Sequence, residues 1–507
     1  MGWLCVVPRS PASTFVGWGE SRLSFRDARL GSAALGAARI ESNYYGSPPH
    51  AGGRTPGLRC ALVNTPAPRR AESHDLPDYP HMGIGYVAAS IMARGLECDV
   101  IDAKLERLSS SSLARRIAKG PYDIVGFSAM THEISEAGKL ADLIKTRRPK
   151  ITTVIGGVHA TALPAETLRD FPSFDVLVHG EGEVTLAELV GAIRVGSRLD
   201  GIEGVAYRSG EDVVVNPSRP WTDNLDLLPF PDYSRYPACR EYHVITARGC
   251  PYHCIFCMSP YGRTAVRERS PENVIKELAS IERFHPRIVK FNDETFGINR
   301  RRAVRLLDLI RDEGLHRARK VASMRADHVD VELLKKMKEA GFCYVDYGVE
   351  TGSSDVMVRI RKGLALERVE EAVRLTKQAG LKVGANFIIG HPDETWETAM
   401  QTIDFAVKLN ADVNAIGLMV PYPGTEVAEM VKTGRGGYRL LSGEWADYNK
   451  QLGNALELTS LSRRRMERLQ LIGYLKVPLR NHRYLGFLRF CWQHRRAAVA
   501  YLKKACW

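Results

Sequence analysis

The chain reads as an α/β protein of several domains: a doubly wound parallel sheet, a second array of six strand–helix units, and a mainly helical C-terminal region. Two observations support this. Short apolar runs alternate with stretches of helical period from about residue 58 to about residue 430, and strands separated by helices imply parallel sheets covered on their faces. A length of 507 residues also exceeds one ordinary core, so two or three domains are expected.

Composition narrows the class. A hydrophobic content of 44% with 25% charged residues is that of a globular protein. Seven of the ten cysteines stand alone (Cys5, Cys60, Cys98, Cys239, Cys343, Cys491 and Cys506), which fits reduced thiols better than a disulfide framework. No apolar run is long enough to span a bilayer, and the first residues lack the basic lead-in and apolar length of a signal peptide, so a cytoplasmic location is expected. The net charge of +13 is spread over helices, with some concentration at Arg463-Arg464-Arg465 and Arg495-Arg496. It reads as a solvated face; no nucleic-acid module is legible, and no nucleic-acid partner is expected.

Residues 1–57 are rich in Gly, Ala, Ser, Pro and Arg without a period, and read as a disordered or loosely structured leader. A first domain over 58–200 follows, with strands at 58–64, 98–102, 123–128, 152–156 and 175–179 and helices near 83–94, 113–118, 134–146, after Pro164 and over 185–195. This is a Rossmann-like pattern, and ligands of such sheets sit at the strands' carboxyl ends. Those ends carry Phe127-Ser128-Ala-Met-Thr131, Gly156-Gly157-Val-His159 and His179-Gly180-Glu181-Gly182-Glu183, with glycines where a backbone passes close to a ligand or closes a tight turn.

The prolines of residues 201–240 mark a linker laid over the surface. The next domain, 241–430, shows strand patterns at 243–247, 287–291, 321–325, 344–350, 382–390 and 415–420. Ser270-Pro271 is a helix start, with Ser as N-cap and Pro in the first turn. Polar residues follow the strands: Asp293 and Glu294, Arg325, Glu350, Asn386, and His391 to Glu394. Asp293 and Glu394 read equally well as caps of the next helices. Residues 431–507 read as helices packed on this domain, with substrate specificity expected to depend on them.

The loop Cys250-Pro-Tyr-His-Cys254-Ile-Phe-Cys257 follows the apolar run 243–247 and offers three thiols from one short turn. They suit three corners of an iron-sulfur cube, leaving the fourth iron without a protein ligand and open to a substrate. A zinc site wants a fourth Cys or His, and the chain has no second CxxC. His253 lies within the loop, where a residue between two ligands rarely points the same way as both.

With Phe256 just before the last cysteine, this motif resembles the radical S-adenosylmethionine (SAM) enzymes. The strand-end segments upstream resemble the cobalamin-binding domain that precedes the radical domain in one large subgroup of them. The resemblance covers roughly residues 58–430 and implies a partial (β/α)6 barrel over 241–430, with chemistry at its strands' C-terminal ends. It implies a 4Fe-4S cluster on Cys250, Cys254 and Cys257. SAM is then expected against Glu350 (amino group), Arg325 (carboxylate), Asn386 (ribose) and Phe256 (adenine). Cobalamin is expected against Ser128, Thr131, Gly156, Gly157, His159, Gly180, Glu181 and Glu183. His391 stands where the family commonly shows an apolar residue, and is expected to face substrate. Many cobalamin domains supply a cobalt ligand through D-x-H-x-x-G after the first strand, a motif that many radical SAM relatives lack. Here the corresponding loop reads Asp78-Tyr-Pro-His81-Met-Gly83, with His one place late, so no imidazole is expected below the metal, and His81 is the alternative ligand.

The implied activity is methylation of an unactivated carbon of a small-molecule or lipid metabolite. A 5'-deoxyadenosyl radical would remove a substrate hydrogen, cobalamin would deliver the methyl, and a flavodoxin or ferredoxin would supply electrons. Cyclisation or ring rearrangement by the same architecture stays open. A non-catalytic iron-sulfur redox or cofactor-sensing protein is the alternative of another class, and the missing fourth cysteine argues against it. A transfer-RNA methylthiolating enzyme should carry further cluster cysteines near its N-terminus, where Cys60 and Cys98 are too isolated.

Overall fold

The computed structural model describes residues 58–67, 77–258, 265–451 and 453–485, with 488 and 492. The leader expected over 1–57 and the Arg495-Arg496 pair lie outside the described residues.

Five parallel strands, β1 (Arg59–Asn64), β2 (Glu97–Asp102), β3 (Ile124–Ser128), β4 (Thr152–Gly156) and β5 (Val176–Val178), lie in the order 2-1-3-4-5. Their residues are apolar on both faces because helices cover both. Cys60 and Leu62 face a core with Ile84, Ile91 and Leu189, whereas Ala61 and Val63 face another with Leu113, Ile117 and Ile144. This alternation is the strand period of two acting within a doubly wound sheet. In this strand order the winding reverses between β1 and β3, which opens a crevice at their carboxyl ends.

The segment expected as plain linker begins differently. Residues β6 (Val205–Ser209) and β7 (Asp212–Val215) form a hairpin that extends the sheet antiparallel to β5. The short apolar runs on either side of Gly210 pair locally, and Val205 and Ala206 reach the core. Only beyond Asn216 does the chain run as a proline-rich connection.

In the second part β8 (Glu241–Val244) is followed by two short strands, β9 (Ala247–Arg248) and β10 (Arg267–Glu268), that pair antiparallel with each other. The first strand is therefore shorter than the apolar run suggested. The Asp293 carboxylate takes the backbone N–H of Thr246 at 2.6 Å and of Ala247 at 3.1 Å, diverting both from the sheet. Five longer strands follow: β11 (Ile288–Phe291), β12 (Arg319–Met324), β13 (Phe342–Glu350), β14 (Lys382–Ile389) and β15 (Val413–Leu418). With β8 they make a six-stranded parallel array in sequence order, β8 and β15 being its edges, as in a partial (β/α)6 barrel. Ser270 caps the helix Pro271–Glu282 through Asn273 N at 3.1 Å, with proline in its first turn.

The C-terminal region is not helical alone among the described residues. It contributes a two-stranded ribbon, β16 (Tyr438–Leu440) with β17 (Leu456–Leu458), and one long helix, Arg463–Arg480. It also satisfies the exposed edge of β15. Leu418 N donates to the Lys450 carbonyl at 2.9 Å, and Gln470 Nε2 donates to the Ile416 carbonyl at 2.7 Å. The two halves of the chain meet through a buried network in which Tyr86 and Tyr233 donate to Glu277 Oε1 at 2.8 and 2.9 Å. Arg269 pairs with the same carboxylate at 2.5 Å. Among the described residues no helix is long and apolar enough to cross a membrane.

Candidate functional site

The cysteine loop leaves β9 at Arg248 and is fixed at both ends. Gly249 N donates to Glu294 Oε2 at 2.8 Å, and Ile255 N donates to the Ile360 carbonyl at 3.2 Å. Cys254 is buried and Cys250 and Cys257 are half-buried, all three as free thiols, whereas His253 between them is exposed. Burial raises all three thiols, Cys257 to about 12, with its two partner cysteines adding to the rise. Three coupled thiolates need compensating positive charge, which bound iron provides. Lys362 and Arg325 supply part of it, since both act to lower Cys254. No three His, Cys, Asp or Glu side chains among the described residues converge as the ligands of one metal ion would. In a cube, by contrast, each cysteine takes a different iron.

Around the loop stand the barrel's strand-end residues. Arg325, just beyond β12, lies over the Tyr252 ring at 3.5 Å. It pairs with both Asp327 oxygens at 3.0 Å and donates to the Lys362 carbonyl at 3.0 Å. It therefore braces the cluster loop through Tyr252. Glu350 ends β13 on a left-handed backbone, φ 74°, next to a shift in register against β14. That conformation is unusual for a residue with a side chain and re-aims the carboxylate. Its Oε1 takes the Lys362 ammonium at 3.1 Å, while its Oε2 is buried without a partner. A buried, unmatched carboxylate oxygen on a side chain whose charge reaches Cys254 is a place for an incoming ammonium group.

Asn386 lies within β14 rather than at its end, and its Nδ2 donates to Asp346 Oδ2 at 2.7 Å. The half-buried Phe256 ring sits 5.9 Å from that of His391. His391 is wholly buried, with Nε2 against the Glu350 carbonyl, so it backs the site rather than lining an open face. Asp293 and Glu394 are not helix caps: Asn299 and Thr395 cap the following helices, and Glu394 instead accepts from Gly390 N and His391 N.

At the crevice of the first sheet, Ser128 and Gly156 end β3 and β4 side by side. Gly157 is required by crowding: at φ 100° a Cβ would stand 2.7 Å from the Ala129 carbonyl. Gly180, at φ 81°, faces open space, with nothing within 4 Å of where its Cβ would be. Thr131 and His159 are buried, and the His159 ring meets Trp445 edge-on at 4.7 Å. Burial lowers His159 to about 4, so it is neutral. Asn64 Oδ1, Thr65 Oγ1, His159 Nδ1 and His179 Nε2 are buried without partners. Four such atoms at strand ends fit a ligand rich in amides and hydroxyls, as cobalamin is with its corrin amides and tail ribose. Glu181 and Glu183 differ from this set. Both point at Arg248, at 2.9 and 2.6 Å, and Glu181 also pairs with Arg267 at 3.0 Å.

Lys362, Tyr252, Asn64, Thr65 and Trp445 stand among the candidate site residues and were missed by sequence reading. Tyr252 alone had a local signal, from its place inside the cysteine motif. The short stretch from Trp445 to Lys450 links the two regions. Trp445 touches His159, and Lys450, whose ammonium burial lowers, feels the charges of Glu350 and Cys257.

An open-crevice α/β domain preceding a partial barrel with three thiols near its strand ends offers two candidate cofactor sites. Residues 75–190 match the B12 binding domain and residues 244–406 the Radical SAM superfamily. The chain is 34% identical over 411 residues to an uncharacterized methyltransferase, PH0819, of Pyrococcus horikoshii, covering 79% of this chain and 88% of that one. It is 28% identical to the anaerobic magnesium-protoporphyrin IX monomethyl ester cyclase of Rubrivivax gelatinosus, covering 69% of this chain and 66% of the cyclase. Its fold matches TsrM of Kitasatospora setae, a radical SAM methyltransferase solved with cobalamin and a [4Fe-4S] cluster, at a TM-score of 0.66 and 18% identity over 87% of this chain and all of that one (100%). The chain belongs to the cobalamin-binding radical SAM enzymes, whose cofactors are cobalamin, a 4Fe-4S cluster and SAM.

Proposed function

We propose that this enzyme transfers a methyl group to an unactivated carbon of a small-molecule or lipid metabolite. One observation carries this reading. Trp445 meets His159, at the crevice of the first sheet, and Lys450 feels the charges of Cys257 and Glu350, which supports a shared wall for the two candidate cofactor regions along 445–450. A substrate against that wall would be reachable from both sides. When bound, the cluster and SAM supply hydrogen abstraction and cobalamin supplies the methyl.

The chain's own residues bind and orient. Cys250, Cys254 and Cys257 hold the cluster. Glu350 Oε2 receives the SAM amino group, with Lys362 balancing its charge, and Phe256 lies against the adenine. Arg325, braced on Tyr252 and Asp327, faces the carboxylate, and Asn386 is the candidate for the ribose. Ser128, Thr131, Gly156, Gly157, His159 and Gly180 border cobalamin, joined by Asn64 and Thr65. Trp445 and the buried Tyr448 exclude water from the wall. Cluster thiols that must stay reduced support a cytoplasmic setting, with flavodoxin or ferredoxin as electron donor.

The test is anaerobic incubation with cobalamin, a reductant and SAM carrying a trideuterated methyl, followed by mass spectrometry of metabolites from the native organism. A product heavier by one labelled methyl supports the proposal. Consumption of substrate with 5'-deoxyadenosine but no label in any product would replace it with cyclisation or rearrangement.

A further inference from the structure

The carboxylates that follow Gly180 and the arginine that precedes the cysteine loop belong to different domains, yet they form one buried cluster. Arg248 Nη1 donates to Glu181 Oε1 at 2.9 Å and Nη2 donates to Glu183 Oε1 at 2.6 Å, so one guanidinium bridges both. All three side chains are under 10% exposed. Arg267, the cross-strand partner of Arg248, adds its Nη1 to both Glu181 oxygens at 3.0 Å, and Thr222 N reaches Glu181 Oε2 at 2.8 Å. Glu181 is thereby surrounded by donors. Burial alone would raise its carboxyl, but Arg248 and Arg267 hold it below its usual range, so it stays ionised.

Buried ion pairs are a weak source of net stability, because desolvation offsets most of the attraction; what they supply is fixed geometry. The geometry fixed here is particular. Glu181 and Glu183 open the helix Gly182–Val195 immediately after the strand-end Gly180, and Arg248 stands two residues before Cys250. A planar guanidinium spanning two carboxylates cannot rotate without losing one of them, which an ammonium could do.

We propose that Arg248, gripped by Glu181 and Glu183, is a positioning residue that fixes the cluster loop relative to the cobalamin strand ends. The two carboxylates then act on cobalamin chemistry through the cluster loop and not as contacts to the corrin. A radical formed at one cofactor and quenched at the other demands close registration, and a misplacement of about 1 Å can cost about a hundredfold in rate.

The test uses the full chain reconstituted with its cluster, as the parent and as Glu183→Gln, Glu181→Gln and Arg248→Lys. Hydrogen–deuterium exchange is followed with and without hydroxocobalamin. In the parent, cobalamin should slow exchange in 180–186 and also in 249–257. In the variants it should still slow 180–186, while the slowing of 249–257 is lost. 5'-Deoxyadenosine formation should persist, and methylated product per 5'-deoxyadenosine should fall about tenfold or more. The exchange measurement depends only on cobalamin binding and the product ratio on the methyl-transfer reading, so the two can fail separately. Arg248→Lys keeps the charge and removes the fork, and decides the matter if a glutamine variant does not fold. Loop protection unchanged in Arg248→Lys would overturn the proposal. So would loss of cobalamin from the glutamine variants alone, which would make the carboxylates direct corrin contacts.

Discussion

His391 holds the backbone of Glu350: its Nε2 donates to the Glu350 carbonyl at 3.3 Å, where the chain turns left-handed at φ 74°. The left-handed turn aims the unpartnered Oε2 of Glu350, and the hydrogen bond from His391, beyond the end of the next strand, supports it. Replacing His391 with Leu removes that bond, worth roughly 1 kcal/mol. SAM affinity should fall by about fivefold, with iron content unchanged, as read by calorimetric titration of the reconstituted protein. Unaltered affinity would mean that Glu350 keeps its conformation without help.

The same loop sets a pH dependence. Burial lowers His391 to about 4 and raises Glu394 to about 7. A histidine held neutral stabilises the fold fully above its unfolded value of about 6.5 and loses that contribution as pH falls toward 4. A carboxyl held protonated does the reverse: its contribution is full below about 4.5 and is lost as pH rises through 7. Glu394→Gln should therefore raise thermal stability at pH 8 relative to the parent, by on the order of 2 kcal/mol. The gain should shrink toward pH 5. An equal gain at both pH values would show that ionisation of Glu394 is not its cause.

Glu277 tests the junction between the halves. It is fully buried and accepts from Tyr86, Tyr233 and Arg269. Glu277→Leu leaves the Arg269 cation uncompensated, which costs about 3 kcal/mol or more. The midpoint of urea unfolding should fall accordingly, and a change under about 0.5 kcal/mol would mean that solvent reaches the site.

His81 was the remaining candidate for a ligand below cobalt. It caps the helix Met82–Ala93, its Nδ1 accepting from Ile84 N at 3.2 Å. A neutral ring that accepts at Nδ1 carries its proton on Nε2 and has no lone pair there for a metal. Co(II) bound to the protein should show the same paramagnetic resonance spectrum in His81→Ala, without protein nitrogen splitting, while stability falls by about 1 kcal/mol from the lost cap. Nitrogen splitting that vanishes in the variant would make His81 the ligand.

The elements most legible in sequence were those specified locally. Runs such as Cys60–Val63 and Val383–Ile389 are buried on both faces and leave no doubt of strand, and the cysteine motif is contained within eight residues. The hairpin at β6 and β7 was missed because its two runs are only five and four residues long and no helix follows them to mark a strand–helix unit. Contacts of long range left no local trace. Nothing in Arg248 points to Glu181, 67 positions earlier, and the Trp445 to Lys450 wall lies beyond the stretch where motifs can be read. Glu181 and Glu183 were legible as polar strand-end residues, but their partner could be seen only once the two domains were assembled.

Mössbauer spectroscopy of the iron-57 reconstituted protein, with and without SAM, bears most directly on the three-thiol site. One 4Fe-4S cluster per chain should appear, and SAM should shift one iron of the four away from the other three, because Cys250, Cys254 and Cys257 leave that iron to the substrate. Each single Cys→Ala variant should lose the cluster and form no 5'-deoxyadenosine. Four irons indifferent to SAM, zinc in place of iron, or SAM cleavage that survives removal of all three cysteines would contradict the account.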